Sequence, residues 1–356
     1  MQKYNLSVSV ESSSLRFKLT GREVNYSHVS QSAYTSARNI ANLYYGTEFS
    51  EETLIIAQAI EERYLSSNEI KHHDSAWPIW IRAVGQYVYD NLLPAEISRT
   101  LNRLPDGSVI RLELDESVSR VPWELMYNGE SFTCLKYILG RVPPDAATPT
   151  PIRGNIPMLI VADPLGDLYG ARNEANYIIS QLRGSNLRIA RYGNEIRKRD
   201  YLRLLKSGEY RIVHYSGHSA SSREPGQACH LFKDGRCYGW EIEELGMSKP
   251  PLLVFSNSCQ SAEDSLEKDE TGNTSLAGSY LKAGTGGCIA AIWLVSDRGS
   301  SNFASDFYRY ILFGATLGEA VLRARQSAFK RWGYQDFIWG SYILFGDPDL
   351  RLVNRV

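Results

Sequence analysis

A histidine and a cysteine, side chains that can serve as a base and a nucleophile, each follow a short apolar segment of the chain. His218 lies beyond the run 210–215, and Cys259 lies beyond the run 252–255. Such runs, rich in β-branched and aromatic residues, predict buried strands of a parallel sheet. Because substrates bind at the carboxyl ends of these strands, side chains far apart in sequence meet there. The two segments therefore predict a cysteine peptidase site made by Cys259 and His218.

A pair of this kind works because the imidazole makes the thiol reactive. A free thiol has a pKa near about 8.5, so little of it is thiolate at neutral pH without such a neighbour. His218 would accept the thiol proton and later donate it to the leaving amine. The backbone N–H groups of Gly217 and Cys259 are the predicted oxyanion donors, because a glycine lets the backbone approach the substrate closely.

The residue types alone leave other roles open. Cysteine is commonly buried, and a histidine commonly packs in a core. Residue types that bind zinc also occur in this region: His214, His218, Cys229, His230 and Cys237. They include no Cys-x2–4-Cys pair, and no histidine pair partnered by one, as structural zinc sites have. We interpret His214, which precedes the end of its strand, either as a histidine that supports the active-site side chains or as a core histidine. We interpret the cysteines other than Cys259 as structural. We expect no metal and no organic cofactor.

Composition and charge are those of an ordinary globular protein. The 356 residues are 43% hydrophobic and 22% charged, and the net charge of −1 gives no basic surface for nucleic acid or an anionic membrane. The start lacks an apolar signal-peptide core, and no apolar run approaches the roughly 18 residues of a membrane helix. The five cysteines are odd in number and irregularly spaced, which argues against a disulfide framework. We expect a cytoplasmic protein that binds neither nucleic acid nor membrane.

The first 145 residues predict a smaller α+β unit. Alternating residues predict a hairpin over 4–20, followed by helices and then two strands. The predicted helices are 31–45, 51–65 and 78–102, the last broken by Pro94, and the predicted strands are 109–114 and 135–142. Five of the chain's 14 prolines fall between residues 143 and 157. We therefore predict a Pro-rich linker over 146–156.

From residue 157 to 356 strands alternate with helices, the pattern of a parallel sheet covered by helices on both faces. Predicted strands are 157–162, 187–192, 210–215, 251–256, 287–294 and 340–345. Predicted helices are 171–183, 195–206, 273–283, 299–313 and 317–330, with a small hairpin at 231–238. The predicted fold class is α/β, with a mostly parallel sheet of about six strands preceded by the smaller α+β unit.

Several motifs, in this order along the chain, resemble one family. They are Val121–Tyr127, Val161–Pro164, His214–His218, Ser256–Ala262, Ile292–Asp297 and Trp339–Pro348. Together they resemble the CHAT family of caspase-like cysteine peptidases, in the clan that includes caspases and separases. The resemblance implies a caspase-like α/β fold and carries a catalytic dyad onto Cys259 and His218. The sequence departs from the family's name because it contains no tetratricopeptide repeats.

Two carboxylates are candidates for a substrate pocket, where an acid would select an Arg or Lys side chain. Asp297 follows the strand over 287–294, in a segment similar to the one that supplies an acidic pocket residue in separases. Alternatively, Asp297 caps the next helix. Asp163, at the end of the first strand of the parallel sheet, is the second candidate, and its alternative is a plain turn with Pro164.

These features predict a cysteine endopeptidase that cuts a partner protein after a basic residue. The resemblance implies a regulated protease of bacterial defence or cell death, whose signal arrives through a separate activator or sensor protein. The acidic stretch 263–270 is either a solvated loop or an activation loop. Two other functions stay open: a catalytically silent CHAT-like scaffold that binds peptides, and a cysteine amidase that acts on small molecules.

Overall fold

The chain was studied as a computed structural model, which describes residues 1–31, 37, 40, 51–65, 77–143, 154–220, 227–258, 275–292 and 295–353. Most of the helix predicted over 31–45, most of the linker predicted over 146–156 and the acidic stretch 263–270 lie outside these ranges. None of the described helices is both long enough and apolar enough to cross a membrane.

The chain begins with three antiparallel strands, β1 (Lys3–Glu11), β2 (Ser14–Gly21) and β3 (Val24–Ser30). The first two confirm the predicted hairpin, and their alternation buries one face of each strand, including Leu6 and Phe17. The third strand was not predicted. It lies at the edge of the sheet and is mostly exposed, so its sequence lacks the buried alternation that identifies the other two.

Three helices and two strands follow, in the predicted order. The helices are α1 (Glu51–Tyr64), α2 (Trp77–Asn91) and α3 (Ala95–Arg103), and the strands are β4 (Val109–Leu114) and β5 (Ile138–Arg141). Pro94 separates α2 from α3 as predicted, because proline has no N–H for an intrahelical hydrogen bond. The prediction of a strand over 135–142 is confirmed only from Ile138, because α4 (Thr133–Lys136) forms a helical turn before it.

The remaining elements confirm the predicted alternation of strands and helices. The strands are β6 (Ile156–Ala162), β7 (Leu187–Tyr192), β8 (Ile212–Ser216), β9 (Ser219–Ala220), β10 (Cys229–Phe232), β11 (Gly235–Tyr238), β12 (Leu253–Asn257), β13 (Gly287–Ala291) and β14 (Tyr342–Gly346). The helices are α5 (Tyr169–Gln181), α6 (Lys198–Ser207), α7 (Gly239–Glu243), α8 (Leu276–Lys282), α9 (Asp297–Leu312), α10 (Leu317–Trp332) and α11 (Ile338–Ser341).

The described residues form one sheet of eleven strands that includes both β1 and β14, in the order β3-β2-β1-β4-β5-β14-β13-β12-β8-β6-β7. The strands from β13 to β7 are mutually parallel, and β14 pairs with β13 in the antiparallel direction. These six are the predicted strands, so the α/β fold class is confirmed. The sheet continues beyond them because β5 pairs with β14. The division of the chain into two units stays a prediction.

Helices cover both faces of the parallel strands because alternate strand residues point to opposite sides. On β12, Val254 packs with residues of α6, α7 and α8, while Phe255 packs with residues of α5, α9 and α10. Both side chains are fully buried. Strands buried on both faces keep the backbone at their carboxyl ends in fixed positions.

A buried histidine on β10 gives the fold a predicted sensitivity to acid. His230 is fully buried and stacks on Tyr215, with ring centroids 3.7 Å apart, and burial lowers its pKa from 6.5 to about 3. Between these pH values the unfolded chain binds a proton that the folded chain does not bind. Stability is therefore complete above pH 6.5 and falls with acidification, by roughly 1.4 kcal/mol per pH unit.

We expect His230→Phe to remove this part of the acid sensitivity. From pH 6.5 to pH 5, the free energy of unfolding of the wild type should fall by about 2 kcal/mol more than that of the variant. Urea unfolding at pH 7 and pH 5 measures the difference. His28→Ala, on the exposed strand β3, is the control and should keep the wild-type slope. Equal slopes for His230→Phe and the wild type would contradict the prediction.

Candidate active site

The predicted base and nucleophile extend from neighbouring strands of the sheet. β8 and β12 are parallel and adjacent, and Ser216 at the end of β8 pairs with Asn257 at the end of β12. His218 follows two residues after Ser216. Cys259 follows Asn257 at the same spacing but lies outside the described residues, while the residue before it, Ser258, is 6% exposed. The two strands thus bring both segments to the same edge of the sheet.

Gly217 lies where the chain leaves β8, and a side chain there would not fit. An added Cβ would lie 2.9 Å from the Pro164 ring and 2.9 Å from the Tyr215 hydroxyl. The Gly217 N–H donates a long hydrogen bond, 3.4 Å, to the Asn257 carbonyl. The glycine therefore permits close packing of the backbone against Pro164 and Tyr215, while its approach to a substrate stays a prediction. Its role as an oxyanion donor stays a prediction, since its N–H already has a weak partner.

His218 has a fixed backbone and an accessible ring. Its carbonyl oxygen accepts hydrogen bonds from the Tyr215 hydroxyl at 2.8 Å and from the Leu231 N–H at 3.0 Å. Its side chain is 40% exposed, and its Nε2 lies 3.2 Å from Oδ1 of Asp167. A general base needs this combination of a held position and an open approach. The sequence did not single out Asp167, although this residue follows β6 at the same edge of the sheet.

Asp163 holds the loop that carries Asp167. It is buried with φ of 57°, and its Oδ1 accepts hydrogen bonds of 2.8–2.9 Å from the N–H groups of Gly166, Asp167 and Leu168. Its Oδ2 lies 3.2 Å from Nε of Arg172. Both carboxylate oxygens thus face protein groups. The substrate-binding role of Asp163 stays a prediction, and these contacts favour a role in positioning Asp167.

Asp297 borders a cavity of about 540 Å³ between α5 and α9. The N-cap of α9 is Ser296, whose hydroxyl accepts from the Gly299 N–H, so the alternative of Asp297 as the N-cap is wrong. Instead, the Asp297 carboxylate lies against Gly170 of α5, where an added Cβ would collide with it. Within the described ranges it forms no ion pair. Arg298, which also lines the cavity, lies 5.0 Å from the Trp332 ring centroid.

The cavity and the predicted base are close along the chain. Gly170, against which Asp297 lies, is three residues after Asp167, which contacts His218. Consecutive Cα atoms are about 3.8 Å apart, so the Cα atoms of Gly170 and Asp167 are at most about 11 Å apart. A carboxylate at an open cavity is chemically suited to bind a cationic group.

The rival base and the other cysteines are buried. His214 is fully buried, which confirms its interpretation as a core histidine. Burial raises the pKa of the Cys134 thiol to about 12 and also raises the pKa values of the Cys229, Cys237 and Cys288 thiols. These thiols are therefore protonated at neutral pH, in agreement with structural roles. Among the described residues, no cluster of three or more His, Cys, Asp or Glu side chains is arranged to hold a metal ion.

Loss of the Asp167 charge is expected to have a small, salt-sensitive effect on activity. The Asp167 side chain is 62% exposed, and exposed ion pairs contribute up to about 1 kcal/mol, so Asp167→Asn should lower kcat/KM by about fivefold or less. Added salt should bring the wild-type value toward that of the variant. Asp106→Asn, which affects an 85% exposed acid 3.9 Å from Lys136, is the control. A salt response that is the same in all three proteins would contradict this role.

Known proteins resemble the chain in sequence and in fold. The sequence model of the CHAT domain matches residues 82–347. The match begins within α2, so it includes part of the predicted amino-terminal unit. No curated protein is significantly similar to the chain.

Among solved structures, the Saccharomyces cerevisiae separase–securin complex matches with a TM-score of 0.53 at 12% identity, over 97% of this chain and 30% of that chain. A second structure of the complex matches with a TM-score of 0.53 at 13% identity, with the same coverage. The Arg specific cysteine proteinase gingipain R matches with a TM-score of 0.45 at 13% identity, over 78% of this chain and 70% of that chain. The chain thus spans about 30% of the separase chain, and the likeness is one of fold.

Proposed function

Because the chain belongs to the CHAT domain family, we propose that it is a caspase-like cysteine endopeptidase that cuts a partner protein through Cys259 and His218. The observation that carries this proposal is the pairing of Ser216 with Asn257. It means that the base and the nucleophile each follow, at the same spacing, from residues paired on adjacent parallel strands. Substrates of open α/β sheets bind at this edge.

The proposed chemistry needs only residues at the two strand ends. His218 accepts the proton of the Cys259 thiol, and the thiolate sulfur attacks the carbonyl carbon of the substrate peptide bond. The carbonyl oxygen becomes an oxyanion stabilised by backbone N–H groups. When the C–N bond breaks, the protonated His218 gives its proton to the leaving amine. Water then attacks the thioester, which releases the acid and restores the thiol.

We propose that the cavity beside Asp297 binds the side chain on the amino side of the cut bond and selects arginine or lysine. The support is a carboxylate without an ion pair to any described residue, at an open cavity near the base. Carboxylates bind guanidinium and ammonium groups through charge-assisted hydrogen bonds. Tyr177, which also lines the cavity, offers an aromatic ring for the aliphatic part of such a side chain.

The biological setting is a further part of the proposal. A regulated protease of bacterial defence or cell death, switched on by a separate activator or sensor protein, fits the family. In the neighbouring structure, separase is in complex with securin, which supports a protein partner for this fold. The acidic stretch 263–270, outside the described residues, is proposed as an activation loop because it begins four residues after Cys259 in sequence.

A peptide-library experiment tests the proposed function. Purified wild type and Cys259→Ala are incubated with the same mixed peptides, and cut sites are read by mass spectrometry. We expect cuts from the wild type alone, predominantly after arginine or lysine. Cysteine-dependent cuts after other residues would retain the peptidase and reject the basic pocket. If no peptide is cut while iodoacetamide labels Cys259 no faster than the other cysteines, the result would favour a silent peptide-binding scaffold.

A further inference from the structure

A buried carboxylate lies beneath the candidate active site and accepts four hydrogen bonds. Glu174 belongs to α5 and is 2% exposed. Its Oε1 accepts from Nε2 of His214 at 2.9 Å. Its Oε2 accepts from the hydroxyl of Ser216 at 3.3 Å and from the side-chain amide of Asn257. It also accepts from the hydroxyl of Ser300 at 3.2 Å, whose one hydrogen is shared with the Asp297 carbonyl oxygen at 3.0 Å. Burial of a carboxylate is tolerated only with such compensation.

The hydrogen bonds around this carboxylate have a single consistent direction. The Glu174 carboxylate can only accept, so in the neutral ring of His214 Nδ1 is the acceptor, and the Tyr308 hydroxyl donates to it at 2.9 Å. Burial, with a smaller effect of the Glu174 charge, raises the pKa of Tyr308 well above its usual value, so the hydroxyl keeps the proton that it donates. The other ring nitrogen of His214 then carries the hydrogen that goes to Glu174. The Tyr342 hydroxyl donates to Oδ1 of Asn257 at 2.7 Å, which turns the amide NH₂ toward Glu174.

The donors to Glu174 lie on the elements that carry the proposed active-site residues. Ser216 precedes His218 by two residues on β8 and its extension, and Asn257 precedes Cys259 by the same number. Ser300 lies in the first turn of α9, which begins with Asp297. One carboxylate oxygen therefore joins the strand of the base, the strand of the nucleophile and the helix of the cavity acid.

We propose that Glu174 is the positioning residue of the active site, which holds the base and nucleophile strands in the register that catalysis requires. This inference rests on the proposed peptidase function and assigns the cause of the dyad's geometry. A displacement of about 1 Å in a reacting group costs up to about 100-fold in rate. A buried network in which each group has a partner fixes such positions more strictly than apolar contacts, which have no direction.

Glu174→Gln tests the proposal with nearly the same shape. The new amide oxygen still accepts from His214, and the Ser216 and Ser300 hydroxyls can rotate to accept from the new NH₂ group. The Asn257 NH₂ would face the new NH₂ as a second donor, unless the Asn257 amide turns over and donates to the Tyr342 hydroxyl instead. The hydrogen bond that is lost is therefore the one to Asn257 on β12, the strand that precedes Cys259. We expect kcat to fall at least about tenfold, with KM changed by less than about twofold.

The double variant Glu174→Gln with Asn257→Asp restores the match. The amide introduced on α5 then donates to the carboxylate introduced on β12, which still accepts from the Tyr342 hydroxyl. We expect kcat to return to within about threefold of the wild type, whereas Asn257→Asp alone, with two facing carboxylates, should be worse than Glu174→Gln. A loss caused by general destabilisation would not show this rescue. The variants should rank in the same order by the rate at which iodoacetamide alkylates Cys259, which mass spectrometry measures.

If Glu174→Gln does not fold, two milder Tyr→Phe variants, matched to each other, test the proposal. Tyr342→Phe removes the hydroxyl that orients Asn257, while Tyr280→Phe removes a buried hydroxyl bonded to Tyr201 on the other face of the sheet. Each variant loses one buried phenol hydrogen bond. We expect Tyr342→Phe to lower kcat and the Cys259 alkylation rate about threefold or more, and Tyr280→Phe to leave both unchanged per folded molecule. Equal effects of the two variants would overturn the proposal.

Alkylation separates failure of this inference from failure of the proposed function. Suppose that the wild type cuts no peptide, yet Cys259 reacts faster in it than in His218→Ala. This result would support the Cys259–His218 dyad and contradict the proposed peptide cleavage. The alkylation rate of Cys259 in Glu174→Gln would still test the positioning role of Glu174. If Cys259 is alkylated at the same rate in the wild type and in His218→Ala, no dyad forms, and this result would contradict both proposals. Wild-type rates and wild-type kcat in Glu174→Gln would overturn the inference alone.

Discussion

Replacement of His218 by alanine is expected to lower kcat/KM about 1,000-fold at pH 7, while the protein remains folded. The ring is the proposed base and the proposed acid of the same reaction, so both steps lose their proton carrier. Folding should be retained because the side chain is 40% exposed and its ring contact is the exposed Asp167, so its removal leaves no buried cavity.

The pH dependence of the activity that remains in His218→Ala distinguishes removal of the general base from unfolding of the protein. Without the imidazole, the Cys259 thiolate forms only as the pH approaches the usual thiol pKa of about 8.5, so residual activity should rise from pH 7 to pH 9. Peptide cleavage measured by mass spectrometry across this range checks the prediction. His28→Ala, which removes an exposed histidine from β3, should retain wild-type activity, and Cys259→Ala should show none. A His218→Ala protein with wild-type rates would falsify the dyad.

The sequence predicted the two strands of the site because their signals are local. Segment 252–255 is a continuous apolar run, and segment 210–215 is apolar or aromatic apart from Arg211 and His214. β12 and β8 lie at those places because buried parallel strands need apolar residues on both faces. The continuation of the sheet through β5 and β14 could not be predicted in this way. It depends on the pairing of Phe345 with Arg141, residues far apart in the chain, and no local pattern encodes such a pairing.

The candidate site was predicted where function is tied to residue type, and missed where it depends on packing. Cysteine and histidine at strand ends have a recognisable chemistry. Glu174 has none in sequence, because a glutamate in an amphipathic helix is expected on the solvent face, and only the tertiary fold brings Ser216 and Asn257 to it. Asp167 was missed for a related reason: its segment has the composition of an ordinary turn.

The arrangement around Asp297 implies that the proposed substrate selection is separable from the proposed catalysis. Its carboxylate lies at the open cavity, whereas the Glu174 network lies within the core. The network reaches α9 through the hydroxyls of Tyr308 and Ser300, and neither of these hydrogen bonds involves the Asp297 carboxylate. A change at Asp297 should therefore alter the binding of substrate without disturbing the proposed dyad.

Asp297→Ala is accordingly expected to lower kcat/KM for substrates with arginine or lysine before the cut bond about 100-fold, because a hydrogen bond to a charged group contributes about 1.5–3 kcal/mol. The loss should appear mainly in KM, and peptides with a neutral residue at that position should be cut at nearly the wild-type rate. Kinetics on matched peptides that differ only at this residue measure the change. Gly170→Ala should reduce the same preference, since its Cβ would displace the carboxylate while the charge remains. Asp200→Ala, which removes a first-turn acid from α6, controls for the effect of a lost helix-terminal charge and should leave the preference intact. Retention of the arginine preference by Asp297→Ala would show that another acid selects the substrate.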